Sequence, residues 1–565
     1  MLVCFSLLLG STLLALLFFI LFFASLGFAA GISLTTVTIW LSVVCTFIYG
    51  LIATRFYFKQ DLWRYFVKLC IWVVLLFFSF SYISGLFYDI SYDGQVYHQE
   101  AVSQLVNHWN PFQDYITKDR SHSAVLLNHY AKGPWLYEAA LYTATGQIEQ
   151  SKVFNFLLII ISFLLALSAL KRGDRFSTWR AIFFSLLLAL NPISIYQAFS
   201  FYIDGQLASL LLCLLALSYR LVSHHDKVVL CSFIMSIALT VNIKFTGVVY
   251  VVACIGLVGG WLWLFKNKHL YGHFIKSSII GLFIGICVIG YNPYVTNTVY
   301  YGHPFYPLYG GGAQTMDIMT SNSPQGFMQM NSLEKLYVSI FSLSANKFDS
   351  EGQTLKMPFT VELTELRPFV YGADIRIGGF GPWFSGIVVI ALIILLLMFV
   401  FRTKDNMCGV GLFASIMLSV LINPEAWWAR YVPQFWLAPI IIAAVASSDA
   451  KKIVRYLGVV LAGAVIINIG LVSYPYILGN YYCTQDLDRQ LQYIAKQQQP
   501  IKVCFGDFTS NYVRFARWGI DYADAPDDIA DINIEEIRYK YLTAVFKKPL
   551  LVDIFADERI DKNES

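Results

Sequence analysis

Two aspartates, Asp89 and Asp93, open the segment YDISYDGQVYHQEAVSQLVNHWNPF that runs from Tyr88 to Phe112. They stand where an apolar run gives way to polar sequence, a partly dehydrated place that raises a carboxylate's pKa and lets it act as a base. Both also read as ordinary helix-end carboxylates, and Asp93 is placed to cap a helix that follows it. More ionisable residues gather at the ends of other apolar runs: Asp204, Lys244, Glu425 and Arg430. Lys244 and Arg430 can offer positive charge to an anionic group, or serve as interfacial anchors with their stems along apolar surface. His98, His122 and His129 share one polar segment with the two aspartates. Together these groups can take a divalent metal, which stays open as a cofactor, but no close ligand spacing is present and no metal ligand is assigned.

The elements that must position these residues are legible in the spacing. After Gly94, His98, Val102, Leu105 and Trp109 recur at helical spacing, while Gln99, Ser103, Gln104 and Asn107 take other faces until Pro111 stops the run. This predicts an interfacial amphipathic helix lying on a membrane. In HYAKGPWLYEAALYTATG, Pro134 starts a second short helix and Gly146 ends it.

The remainder of the chain is dominated by apolar runs. Hydrophobic residues make up 57% of it and charged residues only 13%, against roughly 25% charged in soluble domains. Runs near the length that crosses a bilayer, about 20 residues, begin with Leu2 to Phe28, which lacks a basic n-region and is too long for a cleaved signal. Others lie near Thr35 to Ala53, Leu69 to Phe87, Val153 to Leu170, Ala181 to Ile195, Gly205 to Leu221 and Val228 to Val241. The series ends with Gly247 to Phe265, Ser277 to Tyr291, Trp383 to Phe401, Met407 to Ile422, Phe435 to Ala446 and Tyr456 to Tyr474. The expected fold is an all-α polytopic membrane protein of about 13 transmembrane helices.

Lys and Arg fall in alternate loops, which marks those loops as cytoplasmic. One set includes Arg55 to Lys68, Lys171 to Arg180, Lys266 to Lys276 and Lys451 to Arg455, whereas the opposite short loops hold only Lys244 and Arg430. The N-terminus is then inside, and three long segments are exterior: 88–152, 292–382 and the tail 475–565. The membrane domain is 1–474, and the tail is expected to fold as a small exterior α/β C-terminal domain, with a helix over Asp486 to Lys496 and strands at Ile501 to Phe505 and Leu550 to Phe555. The net charge of +4 is spread through anchoring loops, so no nucleic-acid partner is inferred from it; the spans make membrane lipids the expected surroundings. Asp521, Asp524, Asp527, Asp528 and Asp531 read as a solvated face. Cys483 and Cys504 are the cysteines outside the spans, and either a disulfide or two free thiols fits.

Several strings together resemble a known family. DGQVYH, WNPF, HYAKGP, FYIDGQ, NIKFTG and ARYVP, in that order, are similar to motifs of the GT-C glycosyltransferases, nearest the bacterial group related to protein mannosyltransferases, the lipid A aminoarabinose transferase and the rhizobial lipopolysaccharide sugar transferases. The likeness spans roughly Tyr88 to Ser473. It implies transfer of a sugar from a polyprenyl-phosphate donor to a glycan, lipid or protein acceptor on the non-cytoplasmic face of the bacterial inner membrane. The family's catalytic first-loop Asp maps onto Asp93 or Asp89, and its later Asp onto Asp204. Lys244 and Arg430 match basic positions near the carrier phosphate, and His98, His129 and Lys132 complete the candidate substrate-binding set. Two departures stand out: the loop follows the third span instead of the first, which an extra N-terminal hairpin, Leu2 to Ala53, would explain, and the exterior tail is not shared by the group.

In that reading a carboxylate takes the acceptor hydroxyl's proton and in-line attack inverts the anomeric centre. The aromatic run Asn292 to Gly312 forms either a lid over the cleft or an interfacial belt. An O-antigen-type polymerase is the neighbouring alternative, disfavoured by the few exterior basic residues. A lipid or sugar flippase, or another transporter, is the alternative from a different class, disfavoured by spans with few charges or breaks at their centres.

Overall fold

Long apolar runs in lipid have one local way to satisfy their backbone N–H and C=O groups, which is to coil into helices. The computed structural model of the protein describes residues 2–172, 175–222, 226–264, 268–309, 316, 318–346, 353–402, 404–496, 501–524, 534–536 and 545–547. Among the described residues, nine helices are long and apolar enough to cross a membrane: Leu2–Ala29, Thr36–Tyr57, Leu62–Gly85, Ile148–Leu170, Asp204–Leu221, Phe245–Leu264, His269–Ile289, Phe384–Phe401 and Lys452–Ala495. The chain is a helical multi-pass membrane protein. Four further expected spans are shorter apolar helices, Thr178–Ala189, Lys227–Val241, Gly409–Leu421 and Pro433–Ala446. The run Ala181 to Ile195 is broken because Asn191 caps a new helix, Pro192–Tyr196, accepting the Ile193 N–H at 3.1 Å, and Pro192 has no N–H with which to continue the old one.

Helix Leu2–Ala29 lies in the middle of the bundle, packed on Thr36–Tyr57, Val153–Leu170 and Lys227–Val241. Gly10 permits the close approach, since a Cβ there would sit 3.2 Å from Leu164 and Leu165 side-chain atoms. Ser11 and Thr12 return their hydroxyls to the carbonyls of Leu7 and Leu8 at 2.6 and 2.8 Å, so burial leaves no orphaned polar group there. The first two helices pack on each other as a hairpin, and the first of them is part of the bundle's interior. Only the hairpin's second helix is peripheral, with Val37, Trp40 and Ile52 exposed.

The first long segment begins with a π-turn, Gly94–His98, and continues as helix Gln99–Val106. Its polar side does not face water as an interfacial helix would, because the tail covers it. Gln99 donates to the Ser510 carbonyl at 3.1 Å, Ser103 shares a hydrogen bond with the Tyr512 hydroxyl, and Asn107 donates to Tyr512 at 3.1 Å. The second short helix is Gly133–Thr145, with Pro134 in its first turn and Gly146 at φ 65° closing it.

The last span does not stop at Tyr474. Helix Lys452–Ala495 runs for 44 residues straight through Pro475, about 66 Å at ~1.5 Å per residue against a hydrocarbon core of ~30 Å, so much of it projects beyond the apolar layer. The helix expected over Asp486 to Lys496 is its far end. Beyond it, β1 (Ile501–Cys504), β2 (Tyr522–Asp524), β3 (Ile534–Glu536) and β4 (Val545–Lys547) form a sheet in the order β2-β1-β4-β3, with β1 and β2 parallel. The expected strand Leu550 to Phe555 and the acidic residues Asp527, Asp528 and Asp531 lie outside the described residues, as does the Cys504 side chain and with it the question of its pairing; Cys483 is buried in the long helix.

Candidate active site

Asp93 precedes the π-turn whose first residue, Gly94, packs so closely on the preceding bend that a Cβ there would collide with the Asp89 carboxylate and the Ser91 hydroxyl. That contact separates the two first-loop aspartates. Asp89 is fully buried: Oδ1 accepts from the Ser91 N–H at 2.7 Å and the Ser91 hydroxyl at 2.6 Å, and Oδ2 from the Phe201 N–H at 2.7 Å. Burial pushes its pKa up, against the pull of Lys152 and these donors. Its oxygens are committed to holding the bend and the residues before Asp204. Asp93 instead keeps 23% of its side chain exposed and faces Arg430, with Oδ2 at 3.2 Å from Nη1.

Arg430, in the turn Ala429–Tyr431, is the centre of the cluster. Its Nη1 lies 3.7 Å from Asp204 Oδ2, and its Nε 3.4 Å from Asp374 Oδ1. The guanidinium stacks over Trp428, 4.2 Å from the ring centroid, a contact a planar delocalised cation makes well. Burial opposes its charge, but Asp374, Asp204 and Asp93 outweigh that and hold its pKa well above the ordinary arginine value. Asp204 begins helix Asp204–Leu221, where the helix dipole favours a negative group. It accepts from Lys244 Nζ at 2.8 Å, and the same ammonium lies 4.2 Å from the Tyr431 ring centroid. Asp374 accepts from Trp428 Nε1 at 2.6 Å and lies 3.8 Å from Arg376, while burial pushes its pKa up.

His98, at the end of the π-turn, is buried against Tyr97, Trp135 and Tyr202. Trp135 Nε1 donates to its Nδ1 at 2.7 Å, which puts the neutral ring's proton on Nε2. Burial lowers its pKa to about 4, although Asp93 and Asp204 pull the other way.

The structure thus brings Asp93, Asp204, Lys244, Arg430 and His98 together from four distant parts of the sequence. His129 and Lys132 form a separate group. His129 donates from Nδ1 to Asn297 at 2.8 Å and sits among Tyr115, Tyr301 and Tyr306, so the aromatic run after Asn292 packs on it. Lys132 is buried and donates to the carbonyls of Asn128 and Tyr130 at 3.0 Å. Among the described residues, neither shares an ion pair or hydrogen bond with Asp93, Asp204, Lys244 or Arg430. Glu425 serves packing of the second long segment, accepting from Lys335 at 3.2 Å.

Asp374 escaped the sequence reading. It lies within GADIRIGG of the second long segment, away from any span end, and only the turn at Arg430 reveals what it faces. Among the described residues no group of three or more His, Cys, Asp or Glu is arranged to hold a metal ion. Asp93, Asp204 and Asp374 converge on a guanidinium instead, so no step is assigned to a metal. No protein family matches the chain, and no curated protein matches it at a significant level.

Proposed function

We propose that the protein is a membrane glycosyltransferase that takes a sugar from a polyprenyl-phosphate carrier and passes it to a glycan, lipid or protein acceptor on the non-cytoplasmic face of the bacterial inner membrane, with inversion at the anomeric carbon. The observation that carries this reading is the cluster in which Asp93 stands beside Arg430, while Lys244 and Arg430 share Asp204, at the ends of apolar helices. A polyprenyl tail stays in lipid while its head group reacts at such a boundary. The motif resemblance to the GT-C group points the same way.

In this mechanism Arg430 and Lys244 neutralise the carrier phosphate, which is already a good leaving group and needs charge compensation more than protonation. Asp93 accepts the acceptor hydroxyl's proton. The acceptor oxygen forms a bond to the anomeric carbon as the bond from that carbon to the phosphate oxygen breaks, and the polyprenyl phosphate leaves with the electron pair. Donor phosphate competes with Asp93 for Arg430, so donor binding frees the carboxylate for its task. Asp204 and Asp374 keep the guanidinium in place meanwhile.

The test is transfer by purified protein from a polyprenyl-phosphate sugar. Asp93→Asn, nearly isosteric but unable to take the proton, is expected to lower turnover about 10²- to 10⁴-fold, the usual loss for a positioned base, with donor binding retained. Asp204→Asn should impair turnover through Arg430 and Lys244. Near wild-type transfer by Asp93→Asn would sink the assignment of the base, and absence of transfer by wild-type protein across polyprenyl donors would sink the reading as a whole.

A further inference from the structure

Besides Ser510, Asn511 and Tyr512, the tail sends one buried arginine into the first long segment. Arg514, in helix Tyr512–Trp518, is almost fully buried although it is charged. Its Nε donates to Glu149 Oε1 at 3.1 Å and its Nη2 lies 3.0 Å from the same oxygen. Nη2 also donates to the Asp89 carbonyl at 2.6 Å, and Nη1 to Gln95 Oε1 at 3.3 Å. The guanidinium carbon lies 5.1 Å from the Tyr88 ring centroid.

These acceptors bracket Asp93. The Asp89 carbonyl lies before it, and Gln95 follows it within the π-turn. Gln95 has its side-chain amide engaged at both ends: Nε2 donates to the Ser91 carbonyl at 3.2 Å, and Oε1 receives Asn511 Nδ2 at 3.0 Å as well as Arg514. The Ser510 hydroxyl donates to the Gln95 carbonyl at 2.6 Å. Glu149 closes the frame, because its Oε2 accepts the Asp89 N–H at 3.1 Å and pairs with Lys152. Asp93 itself has an ion pair to Arg430 at 3.2 Å, from another part of the chain. Its place relative to Arg430 is thus set by backbone on both sides, and that backbone is held from the tail. A rigid fork with several donors suits this task in a way that a lysine does not.

We propose that Arg514 is a positioning residue for the transfer reaction: the tail locks the Asp89–Gln95 bend through it, and so holds Asp93 at the distance from Arg430 that catalysis requires. This rests on the glycosyltransferase reading for its kinetic consequence and on the hydrogen-bond frame alone for its structural one. The full-length chain is compared as wild type, Arg514→Met, Arg514→Lys and Arg517→Met. Arg517 is the control: exposed on the same helix, its guanidinium carbon lies 5.8 Å from the Tyr88 ring centroid, so it shares that ring contact with Arg514 but not the hydrogen bonds to Glu149, Asp89 and Gln95.

Arg514→Met is expected to lower kcat about ten- to a hundredfold, the scale of a catalytic group displaced by about 1 Å, with donor KM nearly unchanged. Arg514→Lys should recover part of the loss, and Arg517→Met should behave as wild type. Amide hydrogen exchange over residues 89–99 should accelerate about tenfold in Arg514→Met, while the apolar helices keep their protection. Wild-type kcat in Arg514→Met, or an equal fall in Arg517→Met, overturns the proposal. So does unchanged exchange at 89–99. If the wild-type protein transfers no sugar, the function reading falls and the exchange comparison alone decides whether Arg514 locks the bend. If Arg514→Met fails to fold, Arg514→Lys carries both measurements, and a lysine variant with wild-type kcat and exchange overturns the proposal.

Discussion

His98 sits among four charged side chains and carries no charge itself. Its folded pKa of about 4 lies below the ordinary value of 6.5, so between those values the unfolded chain binds a proton that the folded one refuses. Stability from this group is complete above pH 6.5 and is lost as pH falls toward 4, by about 2 kcal/mol at pH 5. His129, also lowered to about 4 by burial, adds a similar loss. We expect His98→Gln, whose side-chain oxygen can still accept from Trp135, to shrink the drop in Tm between pH 7 and pH 5 in detergent by roughly half. An undiminished drop would mean that His98 does not titrate across that window. At this scale the sequence revealed the members at span ends, Asp93, Asp204, Lys244 and Arg430, because charge at the edge of an apolar run is conspicuous. It concealed Asp374 and Arg514, which stand away from the ends of the apolar runs and whose partners lie far along the chain. The Asp89 and Asp93 pair was visible, but only burial tells them apart.

Elements carried their positions in their own composition and their relations in nothing local. Proline and glycine at the ends of Gly133–Thr145 and the apolar length of the long spans were enough to place them. What covers helix Gln99–Val106 was not legible, because its polar face suits water and suits the tail's hydrogen-bonding groups equally well. Pro475 read as a terminus, yet the helix continues through it with the ring buried. The first helix read as a retained span with no sign of its place in the bundle, and Gly10 leaves room there for Leu164 and Leu165. Deleting residues 1–57 should therefore abolish recovery of a monodisperse protein in detergent, since it would strip cover from Val153–Leu170 and Lys227–Val241. A monodisperse, fully active truncation would show that the first two helices are dispensable to the bundle.

At the scale of the whole molecule, the site constrains how the chain threads the membrane. The 88–152 segment, Asp204, Lys244, Asp374, Arg430 and the tail all meet on one face. Helix Val153–Leu170 leaves that face, and helix Asp204–Leu221 starts from it, so Thr178–Ala189 with Pro192–Tyr196 must bring the chain back. By the same reasoning Lys227–Val241 returns the chain to Lys244, and Lys404–Leu421 returns it to Arg430, from which Pro433–Ala446 departs again. If these four shorter helices cross as well as the nine long ones, the expected thirteen spans result, and an odd number would set the two ends of the chain on opposite sides. The basic residues at the helix ends remote from the site, Arg172 and Arg220 among them, favour that remote side as cytoplasmic. A fluorescent reporter that matures only in the cytoplasm should then be bright when fused before Met1 and dark after Ser565, and a periplasm-dependent phosphatase should give the reverse. Brightness at both ends would break the parity, which would require one of the shorter helices to re-enter without crossing and would leave the meeting of Asp93, Asp204 and Arg430 on one face without a thread to produce it.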